Sequence, residues 1–215
     1  MIACAKTPCA CKLEDHKGKL VVLTGGPGGG KTAVLEAFRT ALCEHVAILP
    51  EMASILFSGG FPRGDSLAAR EAVQRTIFFG QRELEELALA EGNHAVILCD
   101  RGTIDGLAYW PSNEAALFAN LGTTREKELS RYAAVIHLRT PTDGSYDHRN
   151  PSRIETLEQA ARVDSAIVTA WRGHANRSFV EPQTSFVDKL AFAVDKIRRE
   201  LPDCCRAHAL PGATR

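Results

Sequence analysis

Eight consecutive residues, Gly25-Gly26-Pro27-Gly28-Gly29-Gly30-Lys31-Thr32, have the spacing G-x-x-x-x-G-K-[ST] of a phosphate-binding P-loop. Glycine lets a backbone curl closely around an anion, because no Cβ obstructs it and positive φ is cheap. Successive N–H groups then point at phosphate oxygens, and the following helix N-terminus adds partial positive charge. Lys31 supplies a point charge for the β- and γ-phosphates of ATP or GTP, and the Thr32 hydroxyl is placed to ligate Mg²⁺. The competing reading is a glycine-rich turn with a chance lysine. The context argues against it: the apolar run Leu20-Val21-Val22-Leu23 precedes the motif, and an amphipathic stretch with Val34, Leu35, Phe38, Ala41 and Leu42 on one face follows.

Other residues carry complementary chemistry. Asp100 closes an apolar strand as a Walker B acid does, and is a second Mg²⁺ ligand; its alternative is a solvated strand cap. Arg101 can bind a phosphate bidentately or pair with a neighbouring acid. Glu51 ends the second strand, which is expected to flank the P-loop region, and can accept a proton from a substrate hydroxyl or sit as an exposed loop acid. Asp105 is a second candidate for substrate contact. Arg139, Arg149 and Arg153 flank a polar segment; each alone reads as a solvated loop charge, but three after the fourth strand suit a lid over the transferring phosphate, with Arg149 and Arg153 as catalytic candidates. Gln74 and Gln81, seven residues apart on one helix, share nearly one face and suit a base or sugar, although exposed helix surface is the commoner place for Gln.

The elements that must position these groups follow from periodicity and turn residues. Strands are predicted over about 19–24, 46–49, 95–99, 134–138 and 178–180, and helices over about 31–43, 65–91, 113–121, 155–172 and 185–200. On the long helix the apolar face reads Ala69, Val73, Ile77, Leu84 and Leu87. Strands alternating with helices predict an α/β fold with a parallel sheet covered on both faces. Ligands of such sheets bind at the carboxyl ends of the strands, where the P-loop, Glu51, Asp100 and Arg101 converge. Residues 1–18 read as a loose lead-in, 19–201 as one nucleotide-binding domain with a lid at about 140–153, and 202–215 as a flexible tail.

The totals fit. A chain of 215 residues with 45% apolar and 24% charged residues builds one domain with a full core. Zero formal net charge predicts no broad attraction to nucleic acid or acidic membrane, and no apolar run reaches the roughly 20 residues of a membrane span. Seven cysteines and no signal-peptide pattern point to a reducing cytoplasm. Cys43 and Cys99 read as small buried residues. Cys4, Cys9, Cys11 and His16 are zinc-type residues, but their spacing matches no common zinc pattern.

The P-loop, Pro50-Glu51 with Gly59-Gly60-Phe61-Pro62, Cys99-Asp100-Arg101-Gly102-Thr103-Ile104-Asp105-Gly106 and Arg153-Ile154-Glu155 resemble the NadR-like AAA-type ATP/GTP-binding domain over about residues 19–200. That group includes TRPL-translocation-defect proteins and nicotinamide-riboside kinase domains. The resemblance implies a three-layer P-loop NTPase fold of the nucleoside/nucleotide kinase type, with a five-stranded parallel sheet. It also implies that the Asp-Arg pair serves phosphoryl transfer. No second-region-of-homology arginine finger is identifiable, so a hexameric motor is not expected. Two functions remain open. One is a kinase passing the γ-phosphate to a small-molecule hydroxyl. The other is a nucleotide-dependent regulatory or binding protein, or slow NTPase, with no such acceptor. No N-K-x-D tetrad distinguishes GTP from ATP.

Overall fold

The computed structural model describes residues 16–41, 43–141, 156–182 and 185–206. Its strands are β1 (Lys19–Thr24), β2 (Val46–Leu49), β3 (Val96–Asp100), β4 (Tyr132–Leu138) and β5 (Arg177–Val180). They form one parallel sheet in the order β2-β3-β1-β4-β5. The helices are α1 (Lys31–Ala41), α2 (Met52–Ser58), α3 (Leu67–Ala90), α4 (Glu114–Leu121), α5 (Arg125–Leu129), α6 (Leu157–Ala170), α7 (Phe186–Glu200) and α8 (Asp203–Arg206). A 3₁₀ helix covers Thr103–Ala108.

The central strands read as continuous apolar runs because helices cover both faces of the sheet. On one face Val21, Leu23, Leu98, Ile136 and Leu138 pack with Val34, Leu35 and Phe38 of α1 and with Ala193 and Ile197 of α7. On the other, Leu20, Val22, Ile97, Cys99 and Val135 meet Ala88 of α3, Ile167 and Ala170 of α6, and Trp171. The predicted five-stranded parallel, three-layer fold is thus present. Cys43 and Cys99 are buried as expected. Among the described residues no helix is long and apolar enough to cross a membrane.

The structure differs from the sequence reading in four places. First, β3 and β4 flank β1, while β2 is an edge strand beyond β3. Burial explains the order: four of five β3 residues are buried, as an interior strand requires, whereas only Val46 of β2 is. Second, α2, α5 and the 3₁₀ helix occupy stretches where no helix was predicted; all three are too short for periodicity to reveal. Third, α3 buries Val73, Phe78, Gln81, Glu85 and Ala88, while Leu87 is 57% exposed. The inward face is rotated because polar partners meet it there: Arg131 and Tyr132 bond Glu85, and Glu85 and the Arg101 carbonyl accept from Gln81. Fourth, the stretch after 202 opens with α8, whose Cys205 is buried.

Candidate functional site

The site is built where β1, β2 and β3 end. β1 delivers the chain into the glycine loop, and α1 begins at Lys31. Gly25 (φ 137°) shows why the loop tolerates only glycine: a Cβ there would lie 2.1 Å from the Leu138 carbonyl oxygen. Gly28 and Gly30 also have positive φ, and Gly29 would place a Cβ 2.6 Å from the same carbonyl. The loop is therefore pressed against the end of β4, and its shape is set by packing before any ligand arrives. Thr140 Oγ1 donates to the Pro27 carbonyl at 3.0 Å and holds the loop from the same side.

Lys31 folds over its own loop, donating to the carbonyls of Gly25 at 2.7 Å and Gly26 at 3.0 Å. Burial, reinforced by the nearby charge of Arg101, lowers its pKa to about 7. The negative charge of a phosphate entering the loop would offset both effects and favour the charged ammonium. Thr32, one residue on, is exposed at the first turn of α1.

Asp100 ends β3 with one carboxylate oxygen, Oδ1, buried and without a hydrogen-bond partner. Burial raises its pKa to about 6; the charge of Lys31 opposes the rise, and Glu51 adds to it. A buried carboxylate oxygen without a donor fits a hard divalent cation, and with the exposed Thr32 hydroxyl it makes an all-oxygen donor pair suited to Mg²⁺.

Arg101 follows in a left-handed backbone conformation, φ 72°, unusual for a side chain with a Cβ. Its backbone N–H bonds Leu23 at 3.1 Å and so fixes the residue against β1. Its Nε makes a short ion pair to Glu51, and its NH1 reaches the Gly25 carbonyl at 3.4 Å. Glu51 is the residue before α2, and its second oxygen accepts from Ser54 Oγ at 2.6 Å. Burial would raise the Glu51 pKa, but Arg101 and the Ser54 hydroxyl prevail and leave it below the ordinary carboxylate range. The structure thus brings Glu51, Asp100, Arg101 and the P-loop to one edge.

Other predicted residues lie elsewhere or face away. Arg149 and Arg153, with most of the 140–153 segment, lie outside the described residues, as do Cys4, Cys9 and Cys11. Arg139 is committed to Asp164 at 2.7 Å. Asp105 is 3% exposed and accepts from Thr24 Oγ1 (2.5 Å), Trp171 Nε1 (3.1 Å) and the Gly102 N–H (2.8 Å), so it braces the floor of the site and does not face an acceptor. Gln81 points inward to Glu85 at 2.9 Å and to the Arg101 carbonyl at 3.4 Å, leaving only Gln74 of the pair half-exposed beside Gly106.

Sequence reasoning missed Asp164 of α6. It accepts from the Gly26 N–H at 3.0 Å, His137 Nε2 at 2.8 Å and Arg139, and lies 3.4 Å from the Thr140 nitrogen. Burial alone would raise its pKa; the bonds from His137 and Gly26 hold it at about 2. A signal was present: Asp164 shares the buried face of α6 with Ala160 and Ile167. An acid on an apolar stripe is paired or functional far more often than solvated.

Several known proteins share this architecture. No curated protein sequence shows a significant match. A NadR protein solved in complex with NR superimposes with TM-score 0.68 at 13% identity, over 93% of this chain and 55% of that one, so the chain spans about half of that protein. A thymidylate kinase from Ehrlichia chaffeensis gives TM-score 0.51 at 15% identity, over 86% of this chain and 99% of the kinase. These likenesses show a P-loop nucleotide-kinase-like fold. A family model described as AAA domain matches residues 20–189, and the chain belongs to that family.

Proposed function

We propose that the chain is a kinase that passes the γ-phosphate of ATP or GTP to a hydroxyl of a small molecule. The observation that carries this reading is the Glu51–Arg101 pair beside the P-loop, with side chains only 26% and 16% exposed and Arg101 3.4 Å from the Gly25 carbonyl.

In this reading nucleotide phosphates draw Lys31 off the carbonyls of Gly25 and Gly26. The Gly25–Thr32 loop cradles them, and Arg101 turns from Glu51 toward the phosphates. Glu51, released from its cation, becomes more basic and accepts the proton of the acceptor hydroxyl. That oxygen bonds to the γ-phosphorus as the bond from phosphorus to the β–γ bridging oxygen breaks, and the nucleoside diphosphate leaves. Thr32 and Asp100 would hold Mg²⁺, which when bound neutralises charge on the phosphate oxygens. Arg149 and Arg153 are assigned to cover the reacting phosphate.

The second reading is a nucleotide-dependent binding protein or slow NTPase. It is favoured by the state of Glu51, which its two partners make a weak base. A screen separates the two: ATP or GTP is offered with nucleosides, nucleoside monophosphates and sugars, and diphosphate release is followed. The solved relatives, a NadR protein with NR and a thymidylate kinase, put nucleosides and nucleotides first in that screen. The kinase reading expects at least one acceptor to accelerate release and to appear as its phosphate ester. Release that no acceptor stimulates transfers the conclusion to the second reading.

A further inference from the structure

At the end of the sheet opposite the P-loop, a turn and a terminal helix bring three soft ligands together. Val46 N–H bonds the Cys43 carbonyl at 3.2 Å, closing a tight turn that presents Cys43 and His45 just before β2. The His45 carbonyl accepts from the N–H groups of Ala95 (2.8 Å) and Val96 (3.2 Å), so the turn is fixed to the start of β3. From 160 residues further along, Cys205 of α8 enters the same space, its Sγ 3.3 Å from His45 Nδ1. All three residues are at most 2% exposed. One ligand atom from each lies within 4.8 Å of the other two.

We propose that Cys43, His45 and Cys205 form a structural Zn²⁺ site. A tetrahedral zinc ion with Zn–S of about 2.3 Å and Zn–N of about 2.0 Å sets its ligand atoms roughly 3.5–3.8 Å apart. The observed cluster needs a contraction of about 1 Å or less at its longest edge to meet that geometry. Two thiolates and a neutral imidazole are the donor set that selects a soft, borderline cation over Mg²⁺ or Ca²⁺. Binding releases two thiol protons to solvent, and the doubly charged ion then exactly balances two thiolates inside a dry pocket, where an unpaired charge is costly. The His16 ring stands edge-on to His45 with centroids 5.6 Å apart, outside the three-ligand cluster. Plain packing explains Cys43 and Cys205, which belong to the core beneath α1 and α7.

The ion would clip α8 to the turn before β2, at a distance from the nucleotide edge. The test uses the full chain purified without chelator. Metal analysis is expected to give about one zinc per chain, and exchange with Co²⁺ a thiolate-to-cobalt charge-transfer band. Cys43→Ser and Cys205→Ser are each expected to lose both signals while still binding nucleotide. Should either variant fail to fold, alkylation of the wild-type chain replaces it: zinc protects Cys43 and Cys205, and a chelator exposes them. A zinc-free wild-type chain with no cobalt band overturns the site. So does full metal retention in both serine variants, loss only when Cys4, Cys9 and Cys11 are replaced together, or alkylation that ignores the chelator.

Discussion

Asp100, half-buried at the end of β3, and Glu85, fully buried on α3, both hold carboxylate oxygens away from solvent, and they differ in what meets those oxygens. Asp100 Oδ1 has no donor. Glu85, fully buried, accepts from Gln81 (2.9 Å), Arg131 (2.8 Å) and the Tyr132 hydroxyl (3.0 Å). Its neighbour Glu128 accepts from Thr103 (2.9 Å) and Thr123 (2.7 Å). Gln81 touches both regions, bonding Glu85 and the Arg101 carbonyl. In the cluster around Glu85 every carboxylate oxygen of Glu85 and Glu128 has a donor, although the buried Arg131 Nε has no hydrogen-bond partner, and the network fixes how α3, α5 and β4 meet. The nucleotide edge is left with bonding capacity unused, and unused capacity in a buried acid is where a ligand belongs.

The contrast breaks most readily at Lys31. Lys31→Ala is expected to keep the fold, weaken ATP–Mg²⁺ binding and lower transfer by at least about 10³-fold, since the phosphates lose their direct cation. Undiminished affinity by isothermal titration in the folded variant removes the phosphate role from the loop. Next is Glu51→Gln, which preserves size and removes the base. Transfer to the acceptor should fall by about 10²–10⁴-fold with near-normal nucleotide binding. Wild-type transfer rates in that variant would mean that another group takes the proton.

On the satisfied side the expected loss is in stability alone. Arg131→Ala leaves Glu85 and Glu128 without their shared cation and should cost about 3–5 kcal/mol in urea unfolding. Nucleotide affinity of the folded fraction should be unchanged; a parallel fall in affinity would merge the two regions into one functional unit.

The smallest effect sharpens the comparison by its sign. Asp100 has a folded-state pKa of about 6 against an ordinary 3.8. The folded chain therefore holds a proton that the unfolded chain has lost, and stability falls as pH rises from about 4 to about 6. Asp100→Asn removes that penalty. It should stabilise the nucleotide-free chain by on the order of 2–3 kcal/mol above pH 6, with little gain near pH 4, while raising the Mg²⁺ needed for activity. Urea melts at several pH values read the first effect and a Mg²⁺ titration the second; a pH-independent difference would mean the carboxylate is not strained by burial.

How much of this was legible depends on whether a residue speaks through its neighbours in sequence or in space. The glycine loop announced itself because its geometry demands glycine and lysine at fixed spacing, and the five strands because buried parallel strands are apolar without interruption. Asp100 and Arg101 were visible as polar residues ending such a strand. Asp164 was legible only as an acid on an apolar stripe, and Glu85 and Glu128 stand among other acids of their own helices; the arrival of His137 and Arg139 at Asp164, and of Arg131 and Tyr132 at Glu85, is what makes hubs of them. The inward turn of Asp105 escaped for the same reason, because Trp171 and Thr24 reach it from 66 and 81 residues away. Strand order was hidden because β2 and β3 differ in burial more than in composition.

The position of β1 has a consequence for how the molecule breathes. β1 is paired on both sides, with β3 and β4, whereas β2 is an edge strand paired only with β3. Local opening starts at edges and leaves the middle of a sheet until last. Amide protons of Val21, Val22 and Leu23 should then exchange with solvent only when the whole domain unfolds, and those of β2 through cheaper partial openings. The phosphate loop hangs from the slowest-exchanging strand and Glu51 from a faster one. The phosphate-loop half of the site is thus a fixed anvil, and the half that carries Glu51 is the one that yields first.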